Sequence, residues 1–391
     1  MNLHEHQAKT LLRDYDLPIP KGGVATTPEE AAALAQVLGG KRWAVKAQIH
    51  AGQRKQAGGV RFAESREAVA AAARELLGQS LVTGQTGRAG LLVKSVYVEA
   101  AAQVEKEIYV AALVDRTAGR LTLVASPSGG EGVEASLAES ENLVRLPAEA
   151  GMAPAPEHFA AMAGRLGLGA DLADKAADVL SGIWRAFLDH DAALIELNPL
   201  AVTAEGDLAV LDAKMVLDDN ALFRHPDLEA LRDEDETDPQ EREANRFELN
   251  YVKLDGDIGL MVTGAGLCLA TIDLIKRRRG DPANFMDVRP VASGAQIAEG
   301  LRILLRAPQV KVVLVNTLGG GILRCDTMAE GVAEAYQTAE RRLPIVFRAA
   351  GTAKEIAELT LRNQGIPAAI FDDMGEAVEE AVRLAKAGAA S

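Results

Sequence analysis

Ile258-Gly-Leu-Met-Val-Thr-Gly-Ala-Gly-Leu267 joins an apolar run to a glycine turn and the start of a helical pattern. Ile258 to Thr263 shows no polar alternation, which marks a strand covered on both faces. Leu267 to Arg279 then reads as a helix. The same unit recurs downstream. Asn284–Val288, Val310–Asn316, Pro344–Arg348 and Ala368–Asp372 read as strands. Helical stretches follow them at about 296–306, 326–341, 353–363 and 375–387. Strands that alternate with helices predict a parallel sheet, doubly wound in the flavodoxin-like manner.

Ligands of such sheets bind beyond the carboxyl ends of the strands. Those ends here read Thr263-Gly-Ala-Gly266, Asn316-Thr-Leu-Gly-Gly-Gly321 and Arg348-Ala-Ala-Gly-Thr352. Glycine lets backbone N–H groups approach an anion closely, so an anion or phosphate site is expected on this edge. Gly264-Ala-Gly266, with Asp287 some twenty residues on, also mimics a dinucleotide fingerprint. Leu269 stands where its third glycine belongs. Nicotinamide binding is therefore the weaker alternative.

Upstream, Leu231 to Arg246 is almost wholly polar and contains Pro239. It reads as a solvated linker or exposed helix, which divides the chain into 1–240 and 241–391. In the first part, an amphipathic helix is expected over about Leu3 to Leu12. The strand Trp43-Ala-Val-Lys-Ala-Gln48 places Lys46 and Gln48 on one face. A basic, Gly-containing loop follows it, His50 to Gly59. A strand lysine beside such a loop suits a triphosphate, although no Walker A motif occurs. Leu91 to Ala100 reads as a strand ending at Glu99, placed to hydrogen-bond a base or ribose, and Glu107 opens the next strand.

Ala193 to Lys214 reads as a hairpin about the turn Ala204-Glu-Gly-Asp207. Glu196 and Asn198 share a face, and Asp212 lies opposite Asn198 in simple register. Carboxylates in apolar strands are costly unless a cation or donor compensates. Oxygen ligands so placed suit Mg²⁺.

Composition narrows the function classes. The chain has 391 residues, long enough for two or three domains. It carries 42 basic against 56 acidic residues, a net charge of −14, so nucleic-acid binding has no electrostatic support. Cys268 and Cys325 are too few for a disulfide framework and read as reduced core thiols in a cytoplasmic protein. No apolar run reaches membrane-spanning length, and the N-terminus lacks a signal-peptide pattern. The six histidines show no metal-ligand spacing with Cys or carboxylates.

Several long strings, in order, resemble the beta subunits of ADP-forming succinate–CoA ligase. They include Met1-Asn-Leu-His-Glu5, Gln7-Ala-Lys9, Gln48-Ile-His-Ala-Gly52, Ile195-Glu-Leu-Asn-Pro199 and Asp219-Asn-Ala-Leu-Phe-Arg224. Glu248-Leu-Asn-Tyr251, Pro282-Ala-Asn-Phe285 and Arg324-Cys-Asp326 continue the series. The related malate–CoA ligase beta subunits share these strings.

The resemblance implies an ATP-grasp domain followed by a flavodoxin-like CoA-ligase domain. It implies ATP/ADP, Mg²⁺ and CoA, with Pro20 matching the ATP-using members. It implies a partner alpha subunit whose histidine carries the phosphoryl group, in an αβ heterodimer or α2β2 heterotetramer. The substrate is a small carboxylic acid, with succinate first and malate or another dicarboxylate as the alternative. By position, Lys46, Gln53, Arg54 and Lys55 would bind phosphates. Glu99, Ala102 and Glu107 would hold adenosine, Asn198 and Asp212 would take Mg²⁺, and Glu196 would steady the phosphohistidine. Thr263 would touch the acid, and a helix start at Gly321-Ile-Leu323 would face phosphate and acid.

The departures from the family pattern cluster near these sites. Gly52-Gln-Arg-Lys-Gln56 stands where the family reads Gly-Gly-Arg-Gly-Lys, so a strained Lys55 is expected if that position needs positive φ. Arg289-Pro-Val291 replaces a glycine triplet, and Arg289 suits a distal carboxylate of a different acid. Thr263 replaces an asparagine, Gly319-Gly-Gly321 carries an extra glycine, and Ser126-Pro-Ser-Gly-Gly-Glu131 replaces a more acidic string. A paralogue with weakened catalysis and a partner-binding or regulatory role is the second expectation.

Overall fold

The computed structural model describes residues 1–86, 90–130, 132–133, 142–148 and 152–387, so Glu131 lies outside the described residues. The chain forms two compact units, Met1–Glu236 and Thr237–Ser391.

The first unit holds two main sheets. The smaller is antiparallel, in the order Gly22–Ala25, Val96–Ala100, Trp43–Ala47, Val60–Ala63. Helices Pro28–Leu38 and Arg66–Leu76 cover it through Ala31, Ala35, Val69 and Ala73. Thr27 and Ser65 cap these helices by accepting from the N–H of Glu30 and Ala68. The larger sheet centres on the long strand Ala192–Thr203, paired antiparallel with Val104–Asp115 on one side and with Leu208–Val210 and Ala213–Leu217 on the other. Helices Glu5–Arg13 and Ala170–Asp189 contribute Leu12, Leu180, Ile183 and Phe187 to the core on this sheet. Ala192–Thr203 is thus an interior strand, and its hairpin partner Leu208–Val210 forms the sheet edge.

The second unit is a six-stranded sheet with helices on both faces. Its parallel strands are, in chain order, Ile258–Thr263, Asn284–Val288, Val312–Gly319, Ile345–Gly351 and Ala368–Phe371. They lie in the order 2-1-3-4-5, which is the flavodoxin-like winding. Helices Gly294–Arg306, Cys325–Thr338 and Lys354–Asn363 pack on one face. Helices Ala265–Arg277 and Met374–Ala387 pack on the other. Asn250–Lys253 adds an antiparallel edge that the apolar pattern did not announce, because only Tyr251 in it is buried.

The polar segment at 231–246 is not a free linker. Asp233, Asp235 and Glu236 pair with His4, Lys94 and His50 of the first unit. Pro239–Arg246 is a helix of the second unit, where Gln240 accepts from the Tyr251 hydroxyl and Glu241 from the Lys253 N–H.

Candidate active site

A cavity of about 660 Å³ opens between the two main sheets of the first unit. Its lining includes Lys46, Arg54, Ala102, Glu107, Asn198 and Asp212. Glu99, Glu196, Gln53 and Lys55 line it as well, so the site residues expected in this half of the chain all face one space.

The strand register explains the oxygen donors. Leu200 pairs with Val210 and Leu197 with Ala213, which sets Asn198 opposite Asp212. The Asn198 N–H donates to the Asp212 carbonyl at 3.3 Å. The Asn198–Pro199 peptide is cis. Asn198 Oδ1 accepts the Gly130 N–H at 2.7 Å, and both Asp212 carboxylate oxygens accept from Arg54 Nη2, at 2.8 and 2.9 Å. An amide oxygen and a carboxylate oxygen each keep a further lone pair beyond these bonds. They are hard oxygen donors of the kind Mg²⁺ takes, with phosphate and water completing its shell. The residues therefore fit that ion.

The cations are held by carboxylates, of which Glu5 and Glu99 are buried. Lys46 Nζ meets Glu5 Oε1 at 2.9 Å and also Glu99. Lys9 Nζ meets Glu5 at 2.9 Å, Glu99 at 2.6 Å and the Leu211 carbonyl at 2.8 Å. Arg54 reaches Glu5 at 2.6 Å as well as Asp212. Three cations thus face three carboxylates. Burial opposes the charge on Lys46, but Glu5, Glu99 and Asp212 outweigh it and raise its pKa. Burial likewise opposes the Glu5 carboxylate, and Lys46, Lys9 and Arg54 hold it well below the usual range.

The Glu99 carboxylate is engaged by Lys9 and Lys46 and nearly fully buried, so that side chain belongs to the charge cluster as well as to the cavity wall. The positive φ in the altered loop falls on Gln53, at 59°, not on Lys55. Glu107 stays on the cavity wall, close beneath Gly130, and Glu196 accepts from the Tyr109 hydroxyl at 3.1 Å.

Sequence reasoning missed Glu5 and Lys9, which carry the network from a helix remote in sequence. It also saw no histidine–carboxylate group. His4, Asp233 and Glu236 nevertheless bring their ligand atoms within 4.8 Å, because the fold joins residues 229 apart. His4 Nε2 donates to the Asp233 carboxylate at 2.9 Å, and the His50 backbone N–H donates to Glu236 at 2.5 Å.

In the second unit, the Thr263 hydroxyl accepts the Leu318 N–H at 2.9 Å, which ties neighbouring strand ends together. Asp287 accepts from the Gly264 N–H at 2.9 Å and from Asn250, so it braces the turn where the dinucleotide reading needed a ribose ligand. Gly319 lies so close to Thr352 that a Cβ would sit 2.5 Å from its carbonyl oxygen. Gly321, Ile322 and Leu323 do not start a helix. They form the bend before Cys325–Thr338, with Ile322 exposed and Leu323 buried. Arg289 is paired with Glu248. Cys268 is buried, its thiol pushed up to about 12 by burial, and it forms no disulfide.

The ATP-grasp domain model matches residues 2–202 and the CoA-ligase model residues 261–387. The succinate–CoA ligase [ADP-forming] subunit beta of Caulobacter vibrioides is 43% identical, over 99% of this chain and 99% of that protein. That of Nautilia profundicola is also 43% identical, with the same coverage of both. The chain belongs to the ADP-forming succinate–CoA ligase beta-subunit family. An ATP citrate lyase from Methanothrix soehngenii shares the fold, with a TM-score of 0.74 at 18% identity over 98% of this chain and 99% of that chain.

Membership in the succinate–CoA ligase beta-subunit family makes the chain part of an ADP-forming acid–thiol ligase, with ATP/ADP and CoA as its nucleotide and thiol. A beta subunit of this family implies an alpha partner. The nicotinamide alternative is thereby replaced. No helix among the described residues is long and apolar enough to cross a membrane.

Proposed function

We propose that this chain is the nucleotide-binding subunit of a ligase that joins succinate to CoA. The observation that carries this reading is the convergence of Lys46, Arg54, Asn198 and Asp212 on one cavity within an ATP-grasp domain. Phosphate-binding cations and metal-binding oxygens then meet at the triphosphate.

A histidine of the alpha subunit attacks the γ-phosphorus and ADP leaves. A succinate carboxylate oxygen attacks the phosphohistidine, giving succinyl phosphate and freeing the imidazole. The CoA sulfur attacks the acyl carbon, its proton is released, and phosphate departs. Catalysis of this kind is mostly positioning and charge neutralisation. Lys46 and Arg54 neutralise phosphate oxygens, with Gln53 and Lys55 at the mouth of the cavity. The wall around Ala102 and Glu107 holds adenosine. Glu196, oriented by the Tyr109 hydroxyl, accepts a hydrogen bond from the alpha-subunit imidazole. Asn198 and Asp212 would hold Mg²⁺, which supplies charge neutralisation at the β- and γ-phosphates. Thr263 and the Gly321–Leu323 bend belong to the acid and phosphate end of the reaction. The working assembly is αβ or α2β2, in the cytoplasm.

The test is a substrate panel on the copurified complex with ATP, Mg²⁺ and CoA. Succinate should give a CoA thioester and ADP in equal amounts, at higher kcat/KM than malate. Preference for malate would reassign the acid. No thioester with any dicarboxylate would reject the reading.

A further inference from the structure

One carboxylate touches both cations assigned to the phosphates. Glu5 Oε1 accepts from Lys46 Nζ and Lys9 Nζ, each at 2.9 Å, and Glu5 Oε2 accepts from Arg54 Nη2 at 2.6 Å. Glu99 meets Lys46 and Lys9, whereas Asp212 meets Arg54. Glu5 is therefore the shared anchor of a strand lysine and a loop arginine. It sits in the first turn of the Glu5–Arg13 helix, where the helix dipole favours an anion, and its side chain is 1% exposed.

We propose that Glu5 is a positioning residue for phosphoryl transfer: it fixes Lys46 and Arg54 side by side on the cavity wall, so that the triphosphate meets a preformed pair. This rests on the nucleotide role proposed above. Two cations drawn to one phosphate chain repel each other, and each has a long side chain with many rotamers. A buried anion bonded to both removes the repulsion and the rotamer freedom before the nucleotide arrives, and preorganised charge of this sort lowers the barrier. Lys9, fully buried and bonded to both Glu5 and Glu99, locks the anchor in turn.

The charges make the test decisive. Glu5→Gln leaves the cluster one unit more positive, which attracts a triphosphate more strongly. A loss of rate can then not come from weaker electrostatic attraction. The measurement is single-turnover label transfer from γ-labelled ATP to the alpha subunit in the assembled complex, over a range of ATP concentrations.

Glu5→Gln should lower the maximal rate at least tenfold and change half-saturating ATP less than threefold. Glu5→Asp, which keeps the charge on a shorter arm, should recover part of the rate. Where Glu5→Gln assembles poorly, Glu5→Gln with Lys9→Met restores charge balance and should keep the tenfold deficit. A wild-type maximal rate in either variant overturns the proposal, as does an effect on half-saturation alone. Failure of the wild-type complex to take label rejects the nucleotide role itself, which is a separate outcome.

Discussion

Arg54 Nη2 donates to both carboxylate oxygens of Asp212, at 2.8 and 2.9 Å. The cation assigned to phosphate and the carboxylate assigned to the metal are thus each other's partners. In the proposed function, ATP with Mg²⁺ would exchange this pair for an Arg54–phosphate and an Asp212–metal contact. Asp212→Asn removes the anionic metal ligand, because an amide oxygen carries no formal charge. It should raise the Mg²⁺ concentration for half-maximal label transfer at least tenfold. An unchanged Mg²⁺ dependence would remove Asp212 from the metal site.

Lys9 contacts no solvent and is bonded to Glu5, Glu99 and the Leu211 carbonyl. Its loss leaves two buried carboxylates sharing fewer cations. Breaking a buried ion pair from one side costs about 3–5 kcal/mol. Lys9→Met should lower unfolding stability by about that amount in urea titration. A loss under about 1 kcal/mol would show that the cluster relaxes or takes in water.

Much of this was readable from residue pattern. The five parallel strands announce themselves because each is a short run rich in apolar residues followed by a helical pattern, and three of them end at or just before a glycine. The opposition of Asn198 and Asp212 follows from a tight turn that fixes the register. The charge cluster was not readable, because Glu5, Lys9 and Glu99 come from a helix and a strand far apart in sequence. Nor was the pairing of Arg289 with Glu248, or the bend at Gly321 to Leu323, since glycine permits a helix start and a bend alike. Polar Leu231 to Arg246 was read as a linker or an exposed helix, and it holds the surface helix Pro239–Arg246 and the boundary between the units. Its ion pairs from Asp233 to His4 and from Glu236 to His50 could not be read from the segment alone.

His50 and Glu236 titrate in opposition. Burial lowers His50 to about 4, and burial raises Glu236 to about 7. His50 alone contributes stability above pH 6.5 that is lost as pH falls towards 4. Glu236 alone contributes stability below pH 4.5 that is lost as pH rises through 7. Between about 4.5 and 6.5 the native state keeps its proton on Glu236 and the unfolded chain keeps it on His50, so the proton counts match and the slopes cancel. Glu236→Gln should expose a fall in stability, relative to wild type, as pH drops from 6.5 to 4. His50→Asn should expose a fall as pH rises from 4.5 to 7. Flat difference curves in urea titrations would contradict both shifts.

The Arg289 guanidinium is engaged by Glu248 at the strand end. Within the protein the guanidinium already has a carboxylate partner, in the place where the sequence suggested a distal carboxylate of the acid. Arg289→Gly should leave relative kcat/KM values among succinate, malate and other dicarboxylates within about twofold. A larger shift in preference would restore Arg289 to the acid site.

The central claim is that the cavity around Lys46, Arg54, Asn198 and Asp212 passes the γ-phosphoryl group of ATP to the alpha subunit. The most direct measurement incubates the copurified complex with γ-labelled ATP and Mg²⁺, without acid or CoA, and looks for acid-labile label on the alpha subunit. The account predicts stoichiometric label that succinate and CoA together discharge. An assembled complex that binds ATP and leaves the alpha subunit unlabelled would contradict it.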